Sequence, residues 1–341
     1  MKRPTISDIA EAAGVSIGAV SFALNDRPGV SASTRERIRA IADEMGWQPS
    51  AAARNLSAAK AEAIGLVIAR DAATLGVEPF YMKFIAGLET ELSATGTALV
   101  LQVVGDHDRA IEALRSLWAA RRIDATILTD LWVNDERVAA LDRLGLPGVL
   151  VGHPSVRPAG SSVPAVWSDD ASALTEAVNY LAGIGHRRIA RVGGLTTLEH
   201  TRIRTAAFRA AAQRHGLATA EVVDTDYTWE AGAWATERLL TAADPPTAIT
   251  FDNDIMATAG LHVARKLGLD VPGRLSIVAG DDSQLCEMAY PALSALARDV
   301  HAYGANAARV LLSHLAGAPP ADFQDATPRL LLRDSIAPPG D

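Results

Sequence analysis

The residues best equipped for chemistry come in short polar groups: Asn253-Asp254, Asp281-Asp282, and the single residues Asp71, Asp130, His153 and Arg204. Paired acids such as Asp281-Asp282 invite acid–base hydrolysis. That chemistry needs two carboxylates at a defined separation across a substrate bond, which adjacency in the chain does not supply. The sequence carries no G-x-S-x-G elbow, phosphate-cradling loop or spaced metal-ligand set, and GGLTT at 193–197 lacks the dinucleotide fingerprint. Cys286 is the sole cysteine, so an intramolecular disulfide and a cysteine zinc site are both excluded. With no base nearby in sequence, it reads as a structural thiol. These observations point away from an enzyme and from any metal or organic cofactor, and toward ligand capture.

The elements that would position these groups alternate regularly. From residue 63, apolar strands AIGLVIA, ALVLQVV, ATILTD and GVLVG alternate with helical stretches such as IEALRSLWAARR. The alternation then repeats through AVWSDD, RRIARVGG, EVVD, TAITFD and SIVAGDD, before a helix over about 300–315 and a late strand RLLLR. Repeated βα units predict two doubly wound parallel sheets covered on both faces. With no Gly/Ser linker between them, the two lobes should be joined by crossing segments. Ligands of such sheets bind beyond the carboxyl ends of the strands. The residues there are Asp71, Asp130, Trp132, His153, Arg204, Tyr227, Asn253, Asp254, Asp281 and Asp282. Each also has a plain structural reading. Asn253 or Asp254 can cap a helix, Asp281-Asp282 can form a turn, Arg204 can be a surface charge, and Tyr227 or a tryptophan can be core.

Residues 5–25, TISDIAEAAGVSIGAVSFALN, have a different rhythm. Thr5 with Asp8 forms an approximate capping box, Gly14 supplies a stop, and Ser16 caps a second short helix. Two short helices about a Gly turn are the pattern of a helix-turn-helix, whose second helix enters the DNA major groove. An edge hairpin of a larger domain is the alternative. Ser31 caps a third helix, about Ala32 to Met45. The whole chain has net charge −8, yet residues up to 60 sum to +2, leaving −10 elsewhere. A mildly basic module on an acidic body suits a protein that meets phosphate with one end. Arg35, Arg37 and Arg39 are a solvated face or phosphate contacts. Neither an apolar run of membrane-spanning length nor a secretory apolar region is present in the sequence, so a soluble cytoplasmic protein is expected.

The motifs TISDIAEAAGVS, AVSFALN, RPGVS, TRERI and PSAAARNL, followed by IGLVIARD, PFYMKFIAGLE, GHRRIA, FDNDIMATAG, GDD and LLLRDS, resemble the lac repressor family of bacterial transcription regulators. The likeness runs from about Thr5 to Ile336. It implies an all-α helix-turn-helix headpiece over 1–48 and a hinge helix with linker over 49–61. The body would be similar to periplasmic sugar-binding proteins. Its N-terminal lobe would take 62–157 plus about 297–318, its C-terminal lobe 158–296 plus about 319–337. The implied base-facing residues are Ile17, Gly18, Ser21 and Phe22, although Phe22 could instead pack inside the headpiece. Thr5, Ser16, Asn25, Ser31 and Arg54 would complete the DNA contacts, and Leu56 would wedge into the minor groove. Phe22 and Ala19 depart from the residues common in the family, so its rules for operator bases do not carry over.

For the effector, the resemblance raises Arg204, Asn253 and Asp281 as hydroxyl-binding groups, with Tyr227 and Phe80 packing on the ligand. Carboxylates and guanidiniums suit a polyol because each can engage two neighbouring hydroxyls. His153 and Gly152 stand where relatives commonly have Arg and Asp. The partners implied are double-stranded operator DNA, a small sugar-type effector and a second copy of the chain. The chain lacks the C-terminal leucine heptads of tetrameric relatives. An inducer is expected, with a corepressor as the alternative of the same architecture.

Overall fold

A computed structural model describes residues 4–47, 60–70 and 72–340, the side chains of 72–74 excepted. Ser50, Arg54, Leu56 and Asp71, and with them most of the expected hinge, lie outside the described residues. The chain forms two compact units, Met1–Ala61 and Glu62–Asp341.

The first unit is built from α1 (Ile6–Ala13), α2 (Ile17–Leu24) and α3 (Ala32–Glu44). Thr5 and Asp8 form a reciprocal capping box, in which the Thr5 backbone N–H and hydroxyl both donate to Asp8 Oδ2 at 2.7 Å. Gly14 adopts φ 65°, a left-handed conformation that L side chains resist, and lets the chain turn directly into α2. Ser16 and Ser31 cap α2 and α3 by accepting from Ala19 and Thr34 N–H. α1 and α2 meet at 105°, within the range of a helix-turn-helix. Ile9, Ala10, Ala13, Val20, Ala23, Ile38 and Ala42 form the buried centre, with Trp47 packed against it.

The second unit contains two six-stranded sheets. The first is ordered β11-β5-β4-β3-β1-β2, from β1 (Ala63–Ala69), β2 (Ala98–Val104), β3 (Ala125–Leu128), β4 (Gly148–Val151), β5 (Ala165–Trp167) and β11 (Phe323–Gln324). The second is ordered β12-β10-β9-β8-β6-β7, from β6 (Ile189–Gly193), β7 (Val222–Asp224), β8 (Ala248–Phe251), β9 (Ser276–Ala279), β10 (Ser294–Ala297) and β12 (Arg329–Leu331). All recorded pairings are parallel except β10 with β12. In each sheet the strand order reverses beside the first strand, giving one switch point between β1 and β3 and another between β6 and β8.

Helices cover both faces. In the first lobe these include α4 (Ala72–Val77), α5 (Pro79–Leu92), α6 (His107–Ala119) and α7 (Glu136–Leu144). The second lobe has α8 (Asp170–Gly183), α9 (Glu199–Arg214), α10 (Trp229–Leu240), α11 (Asp254–Lys266) and α12 (Gln284–Met288). The chain then returns to the first lobe as α13 (Val300–Leu315), which packs against α5. Their backbones approach closely because both contact points are glycine. A Cβ at Gly87 would lie 2.0 Å from His301 O, and one at Gly304 would lie 2.2 Å from Phe84 O.

The lobe boundaries differ from those expected. AVWSDD does not open the second lobe, since β5 pairs with β4 through Leu150↔Ala165 and Val151↔Val166. Every residue of β4 is buried, so β4 cannot be a sheet edge and must have a neighbour on each side. The first crossing therefore comes after Trp167 rather than near residue 157. Likewise β11, expected in the second lobe, extends the first sheet beside β5. Asp322 holds this return by accepting from Ala165 N–H at 3.0 Å and from the Arg157 fork at 2.8 and 2.7 Å.

Candidate functional site

The two switch points face a common cavity. On the first lobe, β1 ends at Arg70 and β3 leads into Asp130. Arg70 donates to both Asp130 oxygens, at 2.7 and 3.1 Å, and Tyr81 of α5 donates to the same carboxylate. Burial alone would raise the Asp130 carboxyl, but the Arg70 charge and its hydrogen bonds hold it well below the usual carboxylate range. Arg137 braces the loop from below, donating to the carbonyls of Thr129 and Asp130 at 2.9 and 2.8 Å. Its own charge is matched by Asp135, the cap of α7, at 2.7 Å.

On the second lobe, Asp252 follows β8 and accepts from Arg191 at 2.7 Å and from Gly194 N–H at 2.7 Å. Arg204, two turns into α9, reaches Asp252 and Asp170, both at 3.4 Å. The Tyr227 ring lies flat on Gly194, where an added Cβ would fall 1.9 Å from the ring. Tyr227 Oη pairs with His200 Nε2 at 2.7 Å and Thr201 Oγ1 at 2.8 Å. Burial, with Arg204 beside it, pushes the His200 imidazole down to about 4, so it is neutral near pH 7.

Segments that cross between the lobes close the cavity. Arg298, following β10, donates to Ser168 at 3.1 Å and to Asp170 at 3.0 Å. Asp170 is held down to about 2, because Arg204 and Arg298 outweigh its burial. Among the described residues the Asp281 carboxylate, after β9, has Arg298 Nε at 3.8 Å as its ion-pair partner, and burial pushes its carboxyl up to about 6. The enclosed space is about 80 Å³. A second hollow of about 270 Å³ adjoins it, sharing Gly152, Asp170, His200 and Tyr303 and adding Trp167, His153 and Arg202. Paired carboxylates and guanidiniums under an aromatic roof suit a small, hydroxyl-rich ligand. Among the described residues no group of acids, histidines and cysteines is arranged to hold a metal ion.

The structure brings Phe80, Asp130, Arg204, Tyr227 and Asp281 to this cavity. His153 lines the adjoining hollow, where its ring meets Trp167 edge-on at 4.8 Å. Two expected residues are elsewhere. Asn253 caps α11 through Met256 N–H at 2.9 Å and donates to the Tyr227 carbonyl at 3.2 Å, so both ends of its amide are engaged. Trp132 stacks on His107, with centroids 4.3 Å apart, and packs against the second lobe's core. Sequence reasoning missed Arg70, Glu78, Tyr81, Asp170, His200, Asp252 and Arg298. Arg70, Asp170, Asp252 and Arg298 all follow strand ends. The strand-end rule contains them, but it does not rank the residues at one strand end, as the expectation of Asn253 rather than Asp252 shows.

On the headpiece, α2 presents Ile17 with 56 % and Phe22 with 40 % of its surface exposed. Phe22 is partly sheltered by the turn, its ring edge 3.2 Å from where a Gly29 Cβ would be. The arginines of α3 are less available for phosphate than the sequence suggests. Arg35 and Arg39 both pair with Asp26 at 2.7 Å, and Arg37 donates to the Ala13 carbonyl at 3.2 Å. Among the described residues no single helix is long and apolar enough to cross a membrane.

Residues 5–50 match the family of bacterial regulatory proteins, lacI family, and residues 178–336 match a periplasmic binding protein-like domain. The chain is 31% identical over 318 residues to the HTH-type transcriptional regulator CelR of Thermobifida fusca, covering 93% of each chain. Among solved structures, it resembles a LacI family transcriptional regulator from Bifidobacterium animalis subsp. lactis, with 34% identity and TM-score 0.75, covering 82% of this chain and 99% of that one. It also resembles a CelR–cellobiose complex, with 29% identity and TM-score 0.74 over 98% of this chain and 100% of that one. These relatives are regulators of transcription rather than enzymes. A helix-turn-helix followed by two switch-point lobes, together with 31% identity to such a regulator over 93% of the chain, means that the chain belongs to the LacI family of bacterial transcriptional regulators.

Proposed function

We propose that this regulator is a repressor that binds a pseudopalindromic operator as a homodimer and is released by a carbohydrate-type inducer in the interlobe cavity. The observation that carries the ligand reading is the paired wall at the two switch points, with Arg70–Asp130 on one side and Arg204–Asp252 on the other. The cellobiose bound by the CelR structure supports a sugar class. The DNA reading rests on the exposed Ile17 and Phe22 of a capped second helix, suited to thymine methyls in the major groove.

The dimer reading is supported by β2, the open edge of the first sheet, where Leu101 and Val103 are exposed. An apolar parallel edge of this kind is ordinarily covered. In the mechanism, paired hinges insert Leu56 at the operator centre, and ligand-driven lobe movement changes the spacing at which they emerge. A coupling of roughly 1–3 kcal/mol would shift operator affinity by about tenfold to a hundredfold. The test is a thermal-shift screen of mono- and oligosaccharides, followed by gel-shift titration on the DNA upstream of the gene. A binding sugar that leaves operator affinity unchanged would refute induction, and one that tightens it would establish a corepressor.

A further inference from the structure

Five carboxylates and three guanidiniums line the cavity, and a fourth guanidinium, Arg191, holds Asp252 from behind it. Each guanidinium already has an acid: Arg70 has Asp130, while Arg204 and Arg298 share Asp170. Glu78 stands apart. It is 8 % exposed, it forms no hydrogen bond or ion pair among the described residues, and its Oε2 is enclosed without a partner. It sits at the start of α5, yet its side chain does not cap that helix. Lys83, one turn along α5, gives its ammonium to the Asp282 carbonyl at 3.3 Å instead. Asp281 lines the same cavity and also shares with Glu78 a small adjoining void, where Asp254 and Lys83 lie too, with the Lys83 ammonium drawn to the Asp282 carbonyl.

A buried carboxylate without a cation is costly, and burial pushes Glu78 up to about 7, with Asp130, Asp281 and Asp254 adding to the effect and Arg70 opposing it. A phosphorylated ligand would add negative charge where every guanidinium is already engaged. A neutral polyol would leave Glu78 unmatched. A ligand cation would match it.

Building on the sugar-responsive reading above, we propose that the effector carries an ammonium group seated between Glu78 and Asp281, which makes it an amino sugar rather than a neutral or phosphorylated one. The test uses glucosamine and its β-1,4-linked dimer against glucose, cellobiose, N-acetylglucosamine and glucose 6-phosphate, by calorimetry and thermal shift on the full chain. The amine-bearing sugars should bind roughly tenfold or more tighter than their uncharged counterparts, the scale of a charge-assisted contact. Glu78→Gln should remove that preference and, having lost an unmatched charge, should melt at a higher temperature without ligand at pH 8.

Three outcomes overturn the proposal: uncharged or phosphorylated sugars binding as tightly as the amines, no amine-bearing sugar binding, or a preference that survives in Glu78→Gln. In the first of these, a neutral sugar that also releases operator DNA would overturn the ammonium and keep the sugar-released repressor. If no carbohydrate of either kind binds, both readings fall.

Discussion

The Arg70 guanidinium lies over the Tyr227 ring, 4.7 Å from its centroid, and so reaches from the first lobe onto the second. The same guanidinium holds Asp130, so one residue ties the switch point of one lobe to an aromatic ring of the other.

Replacing Arg70 by Ala strands the Asp130 carboxylate among buried groups. Loss of one partner of a buried pair costs about 3–5 kcal/mol, whereas the double replacement Arg70→Met with Asp130→Asn should cost much less. Urea denaturation of both variants measures this. Equal losses would show that Asp130 does not depend on Arg70.

Arg204→Ala should abolish the ligand response while leaving operator binding intact, because Arg204 belongs to the cavity and not to the headpiece. Thermal shift and gel shift on the same preparation separate the two effects. Loss of operator affinity in this variant would contradict the assignment.

Glu78 should contribute a loss of stability as pH rises toward the neutral range. Its folded value of about 7 lies above the ordinary 4.5, so the folded state holds the proton more tightly. That contribution is complete below about 4.5 and is lost as pH climbs to about 7. Asp281, raised to about 6, acts with the same sign. His200, lowered to about 4, has the opposite sign, stabilising above about 6.5 and losing that contribution on acidification. Glu78→Gln should therefore gain more in melting midpoint at pH 8 than at pH 5, and an equal gain at both would contradict the assignment.

Trp132 and Leu198 form an antiparallel bridge between the lobes, reinforced by Val133 N–H to Thr197 O at 2.9 Å and Glu199 N–H to Leu131 O at 2.8 Å. Trp132→Ala removes the packing that seats this bridge. A cost of about 2 kcal/mol is expected, below the roughly 3–5 kcal/mol of a fully buried aromatic because the ring is only partly covered. Small-angle scattering should show a larger radius of gyration. An unchanged radius would mean that the bridge does not hold the lobes together.

On the headpiece, Ser16→Ala should cost about 1 kcal/mol of stability by loss of the cap, while Ile17→Ala should leave stability nearly unchanged and weaken operator binding. Chemical denaturation and gel shift of each variant distinguish the roles. Leu56→Ala should reduce both operator affinity and DNA bending, and unchanged values would remove the hinge from the mechanism.

The helix-turn-helix was legible in the chain because its signals are local. Thr5, Gly14, Ser16 and Ser31 act within three residues of themselves, and the structure has each in the capping role that its type predicts. The alternation of strands and helices was legible for the same reason, since burial of both sheet faces leaves continuous apolar runs. Lobe membership was not, because it depends on which strand an edge finds. β5 stayed beside its predecessor β4 instead of opening the next sheet, and β11 joined β5 from far along the chain. The site followed the same division. Sequence located the strand ends where ligand groups must lie, but only the tertiary structure decided between Asn253 and Asp252. Neighbours on a strand end point in different directions, and the direction is set by packing with residues fifty or more positions away. The same contacts put Trp132 against His107 and left Glu78 without a partner. Pairing of charges is a property of the fold, not of spacing along the chain.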